Sequence, residues 1–346
     1  MADNYTGSKC PQNIVEEIFT DVYSEARTFR EGLISIDDGH KTNTEVTETT
    51  TTVLAKAYTV DGVNPSSTGT TNDVYATQVP LNRFQYDGKV LYNQLRGTRF
   101  EKSIAAGAAS YISDEYDRRV VANRIPAIGA SVEKSIWNGA TAATQAAVAL
   151  LTPGAAQGNL TAYGQTLVAN MPTNQFDSIP ASIIYNVSQA KTVAGAGLGD
   201  YIKVLTPVTV TAANIAAQYQ NMYETHFASV KDNGGSSTSI HKIFAPLGDK
   251  ALMISANKGA TTVNPDFVQI GDKFTYNGYT VEFVDLDGFR IMCDPEFLLF
   301  LTDRTSDAQD FQQQRGVNLA DFQIWKSIME ATTFPVNQRY ITLYGG

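Results

Sequence analysis

The feature that most limits the fold of this chain is a threonine-rich segment over residues 42–82. Threonine is a good strand former, and the stretch DGVNPSSTG inside the segment has the residues of a turn. The segment therefore predicts a long two-stranded β-hairpin. Its Val, Tyr and Leu residues are thinly spread, so the hairpin has little apolar surface to bury on its own, and an isolated hairpin is barely stable in water.

Two interpretations of this hairpin stay open at the level of the sequence. It is either a disordered polar loop or a ribbon that lies on another subunit, and its Thr and Val content favours the second. Charged residues make up 18% of the chain, below the usual quarter, because Thr, Asn, Gln, Ser, Ala and Gly take their place. Such a surface suits burial against partners, since the centres of protein interfaces are depleted in charge.

Apolar residues at helical spacing predict two helices in the first 140 residues. A short amphipathic helix is expected over residues 11–31, and a much longer helical pattern runs from 100 to 139. Within the longer pattern, Pro126 predicts either a kink or two consecutive helices. Gly139 predicts the end of the pattern. The inward positions of the longer pattern are Ile104, Ala108, Tyr111, Ile112, Glu115, Val121, Ile125, Ile128, Val132 and Ile136.

Past residue 139 the chain becomes rich in Ala, Gly and Thr, which predicts a junction between units or an elaborated surface loop. The stretch SIIYNVSQAKTV then predicts a strand that turns into a short helix. Further on, NIAAQYQNMYETHF predicts a helix. The residues of that helix expected to face inward are Ile215, Tyr219, Met222 and Phe227.

The last third of the chain is dominated by strand patterns. One short strand is expected in HKIFAPLGDKALMISANKG, and three between Val268 and Thr302, with turns at YNG and DLDG. A final strand is expected in RYITLYG. An apolar stripe precedes it, formed by Phe322, Ile324, Trp325, Ile328 and Phe334. Helices and antiparallel strands alternate without a steady βαβ rhythm, so the predicted fold class is α+β.

Residues that could carry catalysis or bind a metal do not form any recognised pattern. The three histidines, His40, His226 and His241, lack zinc-site spacing, and we expect His226 to be a partly buried structural residue rather than a ligand or base. Ser131 and Lys134 match SxxK, but the companion motifs of the penicillin-binding proteins are missing. The sequence thus predicts no catalytic, cofactor-binding or metal-binding residue, and a protein that is not an enzyme.

Several weaker patterns have simpler structural explanations. GAGLGD, over residues 195–200, lacks the spacing of a phosphate-binding loop, and DLDG, over residues 285–288, is better explained as a β-turn than as part of a calcium site. Adjacent carboxylates, as in Asp37–Asp38 and Asp114–Glu115, point apart on a strand or helix. An enzyme whose acidic site is assembled from distant segments leaves no local mark and remains an alternative.

Charge and cysteine content restrict the partners of the chain. The net charge is −9, and a grip on duplex DNA needs clustered basic residues; Arg96, Arg99 and Lys102 are better explained as a solvated helix start. No apolar run approaches the ~20 residues of a membrane span. Cys10 lies near the N-terminus and Cys293 in a predicted buried strand, so we expect no structural disulfide.

Taken in order, these elements resemble the major capsid proteins of tailed bacteriophages with the HK97-like fold. In that family an N-terminal arm leads into an extended hairpin, the E-loop, which is followed by a long spine helix, a P domain and an A domain. The residues that carry the resemblance are the arm, the hairpin, EKSIWNG at the end of the helical pattern, and the C-terminal segment with Pro335 and the strand Tyr340–Tyr344.

The resemblance implies a division of the chain into six segments. These are an N-terminal arm at 1–41, the E-loop at 42–82, a P-domain segment with the spine helix at 83–139, the A domain at 140–296, P-domain strands at 297–335 and a strand returning to the A domain at 336–346.

The resemblance also implies a function, partners and a location. The chain would self-assemble as hexamers and pentamers into an icosahedral head shell that encloses double-stranded DNA without sequence-specific binding. It would be part of the virion, assembled in the host cytoplasm, with a portal and, because the chain begins at the arm, a separate scaffolding protein. The alternatives are an encapsulin-like nanocompartment shell and another virion protein of the tail or decoration type. No cofactor is implied.

Overall fold

The computed structural model describes residues 26–40, 43–53, 70–91, 114–151, 162–188, 192–193, 196–197, 203–205, 209–232, 240–259, 267–271, 273–303, 311–315, 322–337 and 340–345. The helices are α1 (Arg27–Arg30), α2 (Asp114–Trp137), α3 (Ala142–Ala149), α4 (Ala162–Asn170), α5 (Ile179–Ser188), α6 (Ile215–Asp232) and α7 (Leu247–Gly259). A 3-10 turn covers Pro295–Phe297.

The strands are β1 (Ser35–Asp37), β2 (Asn43–Val53), β3 (Thr70–Pro80), β4 (Asn82–Leu91), β5 (Thr192–Val193), β6 (Ala196–Gly197), β7 (Lys203–Leu205), β8 (Lys242–Pro246), β9 (Phe267–Ile270), β10 (Lys273–Tyr276), β11 (Tyr279–Val284), β12 (Arg290–Cys293), β13 (Leu298–Thr302), β14 (Phe311–Arg315), β15 (Phe322–Pro335) and β16 (Thr342–Tyr344). This mixture of helices and mostly antiparallel strands confirms the predicted α+β class.

The largest sheet has seven strands in the order β7-β16-β12-β8-β11-β10-β9. Its side chains alternate between two hydrophobic clusters, as the two-residue period of a strand requires. In β8, for example, Ile243 and Ala245 pack into the cluster under α6 and α7, whereas Phe244 packs into the cluster shared with α2 and α5. The central strands of the sheet therefore separate two cores and are buried on both faces.

The second sheet is built on the long strand β15, which is paired along both edges. One edge pairs with β4, from Phe322↔Leu91 to Ala331↔Asn82. Because Ala331 also pairs with Thr302 of β13, β13 lies on the opposite edge, and β14 follows it along that edge. Strand β1 extends the sheet beyond β13.

The predicted hairpin at 42–82 is present in the backbone. Strands β2 and β3 pair antiparallel from Asn43↔Pro80 to Val53↔Thr70. They form a two-stranded sheet of their own, here called the ribbon. The rest of the described chain, with its two large sheets and their helices, is called the body. The smallest sheet is the pair β5 and β6.

Helix α2 runs through Pro126 as a single helix, so the alternative of two consecutive helices is wrong. Proline removes one hydrogen bond of the ladder, and the flanking turns keep theirs. The predicted inward residues Ile128, Val132 and Ile136 are buried. The predicted stop is confirmed: the helix ends at Trp137, and Gly139 has a φ of +138° and lies so close to Asn174 that a Cβ would collide with it.

The segment after residue 139 was expected to be a junction or loop, and that prediction is wrong for α3 and α4. Alanine has the highest helix propensity. The Thr141 side chain caps α3 by accepting a hydrogen bond from the Thr144 amide at 3.2 Å. Val148 and Val168 bury one face of each helix in the core. The composition therefore reflects short, tightly packed helices.

The strand predicted at SIIYNVSQAKTV is wrong, because these residues continue helix α5 as far as Ser188. The β-branched pair Ile183 and Ile184 favours strands locally. Here both residues are buried with Ile179 at helical spacing, and Pro180 sits in the first turn, where it costs no helical hydrogen bond. Tertiary packing has overridden local propensity.

The C-terminal third contains more elements than the sequence predicted. Between residues 267 and 302 there are five strands rather than three, and α7, which was not predicted, follows the expected strand β8. The turn at YNG is confirmed: Asn277 and Gly278 have φ of 46° and 84° and join β10 to β11 as a two-residue hairpin turn. Short strands of four residues are easily merged when only hydrophobic spacing is used.

Other predictions fall partly or wholly outside the described residues. The arm helix at 11–31 is described only from residue 26, where α1 covers Arg27–Arg30. Cys10, the basic residues at 96–102 and the first part of the long helical pattern lie outside the described ranges. The predictions of a closing strand and of a buried Cys293 are confirmed by β16 and by the position of Cys293 in β12.

Candidate assembly surface

Both strands of the ribbon have an outer edge that is unpaired within the described part of the chain. Among the residues that the structure describes, neither β2 nor β3 pairs with any third strand. Each has one edge on which N–H and C=O groups face away from the other strand, and such edges readily pair with another chain. Eleven residue pairs hold the two strands together, so the ribbon offers two long edges for contact.

The base of the ribbon is fixed to the body by a small hydrophobic cluster. Val79 at the end of β3 and Leu81 after it pack with Leu301 of β13 and Phe334 of β15. All four side chains are buried. The chain then continues directly into β4, which pairs with β15. The ribbon thus emerges from a well-packed anchor on the five-stranded sheet.

The segment preceding the ribbon is tied to helix α2 by a buried network. The Thr28 amide and hydroxyl donate to the two oxygens of the Glu133 carboxylate, at 2.8 and 2.6 Å. Trp137 Nε1 donates to Thr28 Oγ1 at 2.6 Å. Arg27 reaches the seven-stranded sheet, where it donates to the carbonyl oxygen of Phe283 at 2.7 Å. These contacts fix the direction in which the chain enters β1 and the ribbon.

A cleft of about 110 Å³ opens beside the base of the ribbon, between α5, β15 and the start of β4. Ser182 and Thr333 lie on its wall, and their hydroxyls are 3.2 Å apart. Thr333 Oγ1 donates to the Asp177 carbonyl at 2.6 Å. Asn186 also lines the cleft, is 4% exposed, and its Nδ2 has no hydrogen-bond partner among the described residues.

An ion pair is buried between helix α7 and strand β12 of the seven-stranded sheet. Arg290 donates to both carboxylate oxygens of Asp249, at 2.6 and 2.7 Å, and the Tyr219 hydroxyl donates to the same carboxylate at 2.8 Å. Burial and the negative charge of Asp249 raise the pKa of Tyr219 well above its usual value. Burial opposes the charge on Arg290, but the bonds to Asp249 outweigh it and raise the pKa of the guanidinium.

Two histidines lie within hydrogen-bonding distance of each other, although they are 15 positions apart in the sequence. His226 Nε2 lies 3.2 Å from His241 Nδ1, and His226 Nδ1 lies 3.0 Å from the Thr342 hydroxyl of β16. Burial, together with the neighbouring His241, lowers the pKa of His226 to about 3. Burial also lowers the pKa of His241, with Asp294 partly opposing it. Both imidazoles are therefore neutral at pH 7.

His226 was predicted to be partly buried, and the structure buries it fully. Its contact with His241 was not predicted, because the sequence gives no signal for it.

Groups of three or more His, Cys, Asp or Glu side chains able to hold a metal ion do not occur within the described part of the chain. Burial, followed by the charge of Asp294, raises the pKa of the Cys293 thiol well above its usual value, so the thiolate needed for nucleophilic chemistry is not formed.

The remaining sequence patterns do not converge on a site. Ser131 and Lys134 lie exposed on α2, where the Ser131 hydroxyl accepts a bond from the Tyr86 hydroxyl at 3.4 Å. The residues of DLDG, 285–288, form the connection between β11 and β12. Asp37 pairs with His40 at 2.9 Å near the surface. GAGLGD lies largely outside the described residues.

The free edge of the seven-stranded sheet also exposes apolar side chains. Val268 and Ile270 of the edge strand β9 are 43% and 71% exposed, and Leu247 at the start of α7 is 58% exposed. The described residues contain no helix that combines the length and the apolar character needed to cross a bilayer. Hydrophobic residues on an edge strand are a second place where another chain could pair.

Comparison with known proteins gives a match in structure alone. No protein family and no curated protein matches the sequence. Among solved structures, a chain of the satellite phage P4 procapsid, which includes the size determination (Sid) protein, is similar with a TM-score of 0.51 and 8% identity over 95% of this chain and 98% of that chain. A chain of the cyanophage A-1(L) capsid asymmetric unit is similar with a TM-score of 0.50 and 10% identity over 92% of both chains.

These matches extend over almost the full length of each chain, so they concern the whole arrangement of ribbon, long helix and two sheets and not one shared motif. At such low identity they establish the fold. The chain therefore has the HK97-like fold of the phage capsid proteins.

Proposed function

We propose that this chain is a major capsid protein that assembles with copies of itself into an icosahedral phage head enclosing double-stranded DNA. The observation that carries the proposal is the match over nearly the whole of a phage procapsid chain. The ribbon adds support, since its two strands pair with no third strand in the described part of the chain. An element of this kind gains partners when subunits meet.

The charge of the chain agrees with enclosing DNA without gripping it. A net charge of −9 gives no general attraction to phosphate, and a shell that bound its genome tightly would hinder release. The proposal therefore includes a non-enzymatic shell of hexamers and pentamers, assembled in the host cytoplasm and retained in the virion. A separate scaffolding protein and a portal are further proposed partners.

We also propose that the chain is divided as the family resemblance implies. The ribbon strands fall within the E-loop segment at 42–82, and α2 within the segment at 83–139. Strands β13, β14 and β15 of the segment at 297–335 share a sheet with β4, which supports one P domain. Strand β16 of the segment at 336–346 joins the seven-stranded sheet of the A-domain segment at 140–296.

The first test is the assembly state of the purified chain. We expect sedimentation velocity to show a fast-moving species, and negative-stain images to show closed shells or rings, when the chain is expressed alone or with its own scaffolding protein. Nuclease treatment followed by extraction separates a DNA-containing head from a nanocompartment that holds protein. A monomer that stays monodisperse under both conditions, or that assembles into long tubes of uniform narrow width, would contradict the proposal.

A further inference from the structure

The cleft beside the ribbon has the size of a site for one side chain. Its volume is about 110 Å³, whereas pockets for cofactor-sized molecules have about 300–1,000 Å³. An engineered protein cavity of about 150 Å³ accepts a single benzene ring. A ligand for this cleft is therefore one side chain or a short piece of backbone, which points to a macromolecule.

Among the described lining residues, the Asn186 side-chain amide is a buried hydrogen-bond donor without an acceptor, and it determines which group the cleft can bind. Asn186 Nδ2 lacks a hydrogen-bond partner among the described residues, although the residue is only 4% exposed. Two of the hydroxyls in the cleft are already engaged: Ser182 Oγ lies 3.3 Å from the Thr333 carbonyl, and Thr333 Oγ1 donates to the Asp177 carbonyl. Buried donors are nearly always paired in native proteins, so a partner from outside is expected.

The partner group should be a neutral oxygen acceptor. Among the described residues, the lining includes Asp177 and no lysine or arginine. That carboxylate accepts bonds from the Thr141 amide and the Thr144 hydroxyl, both at 2.7 Å. A second carboxylate in the cleft would be buried beside it without a counter-charge, which is costly. An amide or backbone carbonyl meets the requirement without that cost.

From these observations we infer that the cleft receives a carbonyl group, from an Asn or Gln side chain or from the backbone, of a second copy of this chain. This inference rests on the proposed self-assembly. The cleft is bordered by Pro80, which is exposed, and by Asn82, so it opens where the ribbon leaves the body. A neighbour that contacts the ribbon edges in a shell would pass this point. Asn186 would then fix the register of that contact, because one hydrogen bond forms only at the correct position.

The test removes the donor and keeps the shape. Asn186→Leu is expected to leave the folded monomer at least as stable, since an unpaired buried donor is lost. It should raise the subunit concentration needed for assembly by about tenfold per contact, the effect of one lost hydrogen bond. The matched control is Asn257→Leu on α7, because Asn257 has a buried amide oxygen without a partner but does not line the cleft. That control should not change assembly.

A second experiment identifies the occupant directly. A benzophenone amino acid replaces Asn82 at the mouth of the cleft, and shells are assembled from equal parts of ¹⁵N-labelled and unlabelled chain. We expect light-induced cross-links that join labelled to unlabelled peptides. Cross-links confined within one chain, or an Asn186→Leu variant that assembles like the original protein, would overturn the inference while leaving the proposed capsid function intact. Failure of the original protein to form shells would instead contradict the function.

Discussion

The seven-stranded sheet and the ribbon satisfy their backbone polar groups in different ways. In the sheet, β8 and β12 are paired on both edges, and both faces are covered by buried side chains. In the ribbon, β2 and β3 pair with each other and, as far as the described residues extend, with no other strand. The sheet completes its hydrogen bonding inside one chain, whereas the ribbon leaves two outer edges for other partners.

If the proposed function is correct, this difference separates folding from assembly. The body holds two hydrophobic clusters, one on each face of the seven-stranded sheet. The described side chains that join the ribbon to the body in a third, small cluster are Val79, the residue before the last one of β3, and Leu81, which follows the strand. The free energy of unfolding of the monomer should therefore depend on the body, and the stability of a shell on the ribbon.

The largest effect is expected when the ribbon is removed. Glu45 and Gln78 face each other in the register, so residues 46–77 can be replaced by Asn-Gly, which forms a two-residue hairpin turn. Val79 and Leu81 stay in place. We expect a folded monomer with an almost unchanged thermal unfolding midpoint and a complete loss of shells, measured by calorimetry and by sedimentation velocity.

A matched control keeps the ribbon but changes it conservatively, as in Thr49→Ser with Thr51→Ser, and should still assemble. Normal shells from the shortened chain would show that the ribbon is not an assembly element. A shortened chain that fails to fold would show that the ribbon belongs to the core of the monomer, which is the opposite of the comparison drawn above.

The next largest effect is a loss of stability in acid that originates in the body. The pKa of His226 is lowered to about 3 in the folded protein, whereas an unfolded histidine has a pKa of about 6.5. Between these values the unfolded chain binds the extra proton. Stability is therefore fully present above pH 6.5 and is lost as the pH falls towards 3, by up to about 5 kcal/mol.

The measurement is the free energy of unfolding in urea at a series of pH values between 7 and 4. His226→Asn keeps a polar group near the Thr342 hydroxyl and removes the titration, so its curve should be flatter than that of the original protein. The ribbon-less chain should show the same slope as the full chain. Equal slopes for the original protein and His226→Asn would contradict the assignment.

The third prediction concerns the ion pair between Arg290 and Asp249. Removing one partner leaves the other charge buried, so Arg290→Met should lower the free energy of unfolding by about 3–5 kcal/mol. Adding Asp249→Leu should restore much of the loss, since a buried pair replaced by apolar residues is often tolerated. Chemical denaturation of the monomer measures both variants.

A surface arginine provides the control for this pair. Arg83 lies 3.5 Å from Glu330, and its side chain is 63% exposed, so Arg83→Met should cost no more than about 1 kcal/mol. If the double variant were less stable than Arg290→Met, the prediction would be wrong. The loss in Arg290→Met would then not come from leaving the Asp249 charge unpaired. The Tyr219 hydroxyl, which also bonds Asp249, would then be the next group to change.

Local signals in the sequence were enough to predict several elements. The inward residues Ile215, Tyr219 and Met222 of α6 follow the helical period and are buried. The turn at Asn277 and Gly278 and the pairing of β2 with β3 follow from turn chemistry and strand propensity. These features could be predicted because each depends on interactions within a few residues.

Features that depend on distant residues could not be predicted in this way. Ile183 and Ile184 favour a strand locally, yet they pack in the core as part of helix α5. The cleft beside Asn186 is formed by α5, β15 and the start of β4, segments that are far apart in the sequence. Its one sequence signal would have been a buried asparagine, and burial is itself a tertiary property.

The sequence by itself determined the α+β class and the helical face of α6, and it favoured the ribbon over a disordered loop, because propensity, periodicity and turn residues act locally. Only the tertiary structure decided the order β7-β16-β12-β8-β11-β10-β9, the contact between His226 and His241, and the anchor of the ribbon on Leu301 and Phe334. Strand order and burial arise from contacts between distant segments, whose free energy is shared by the whole core and leaves no mark at any single position.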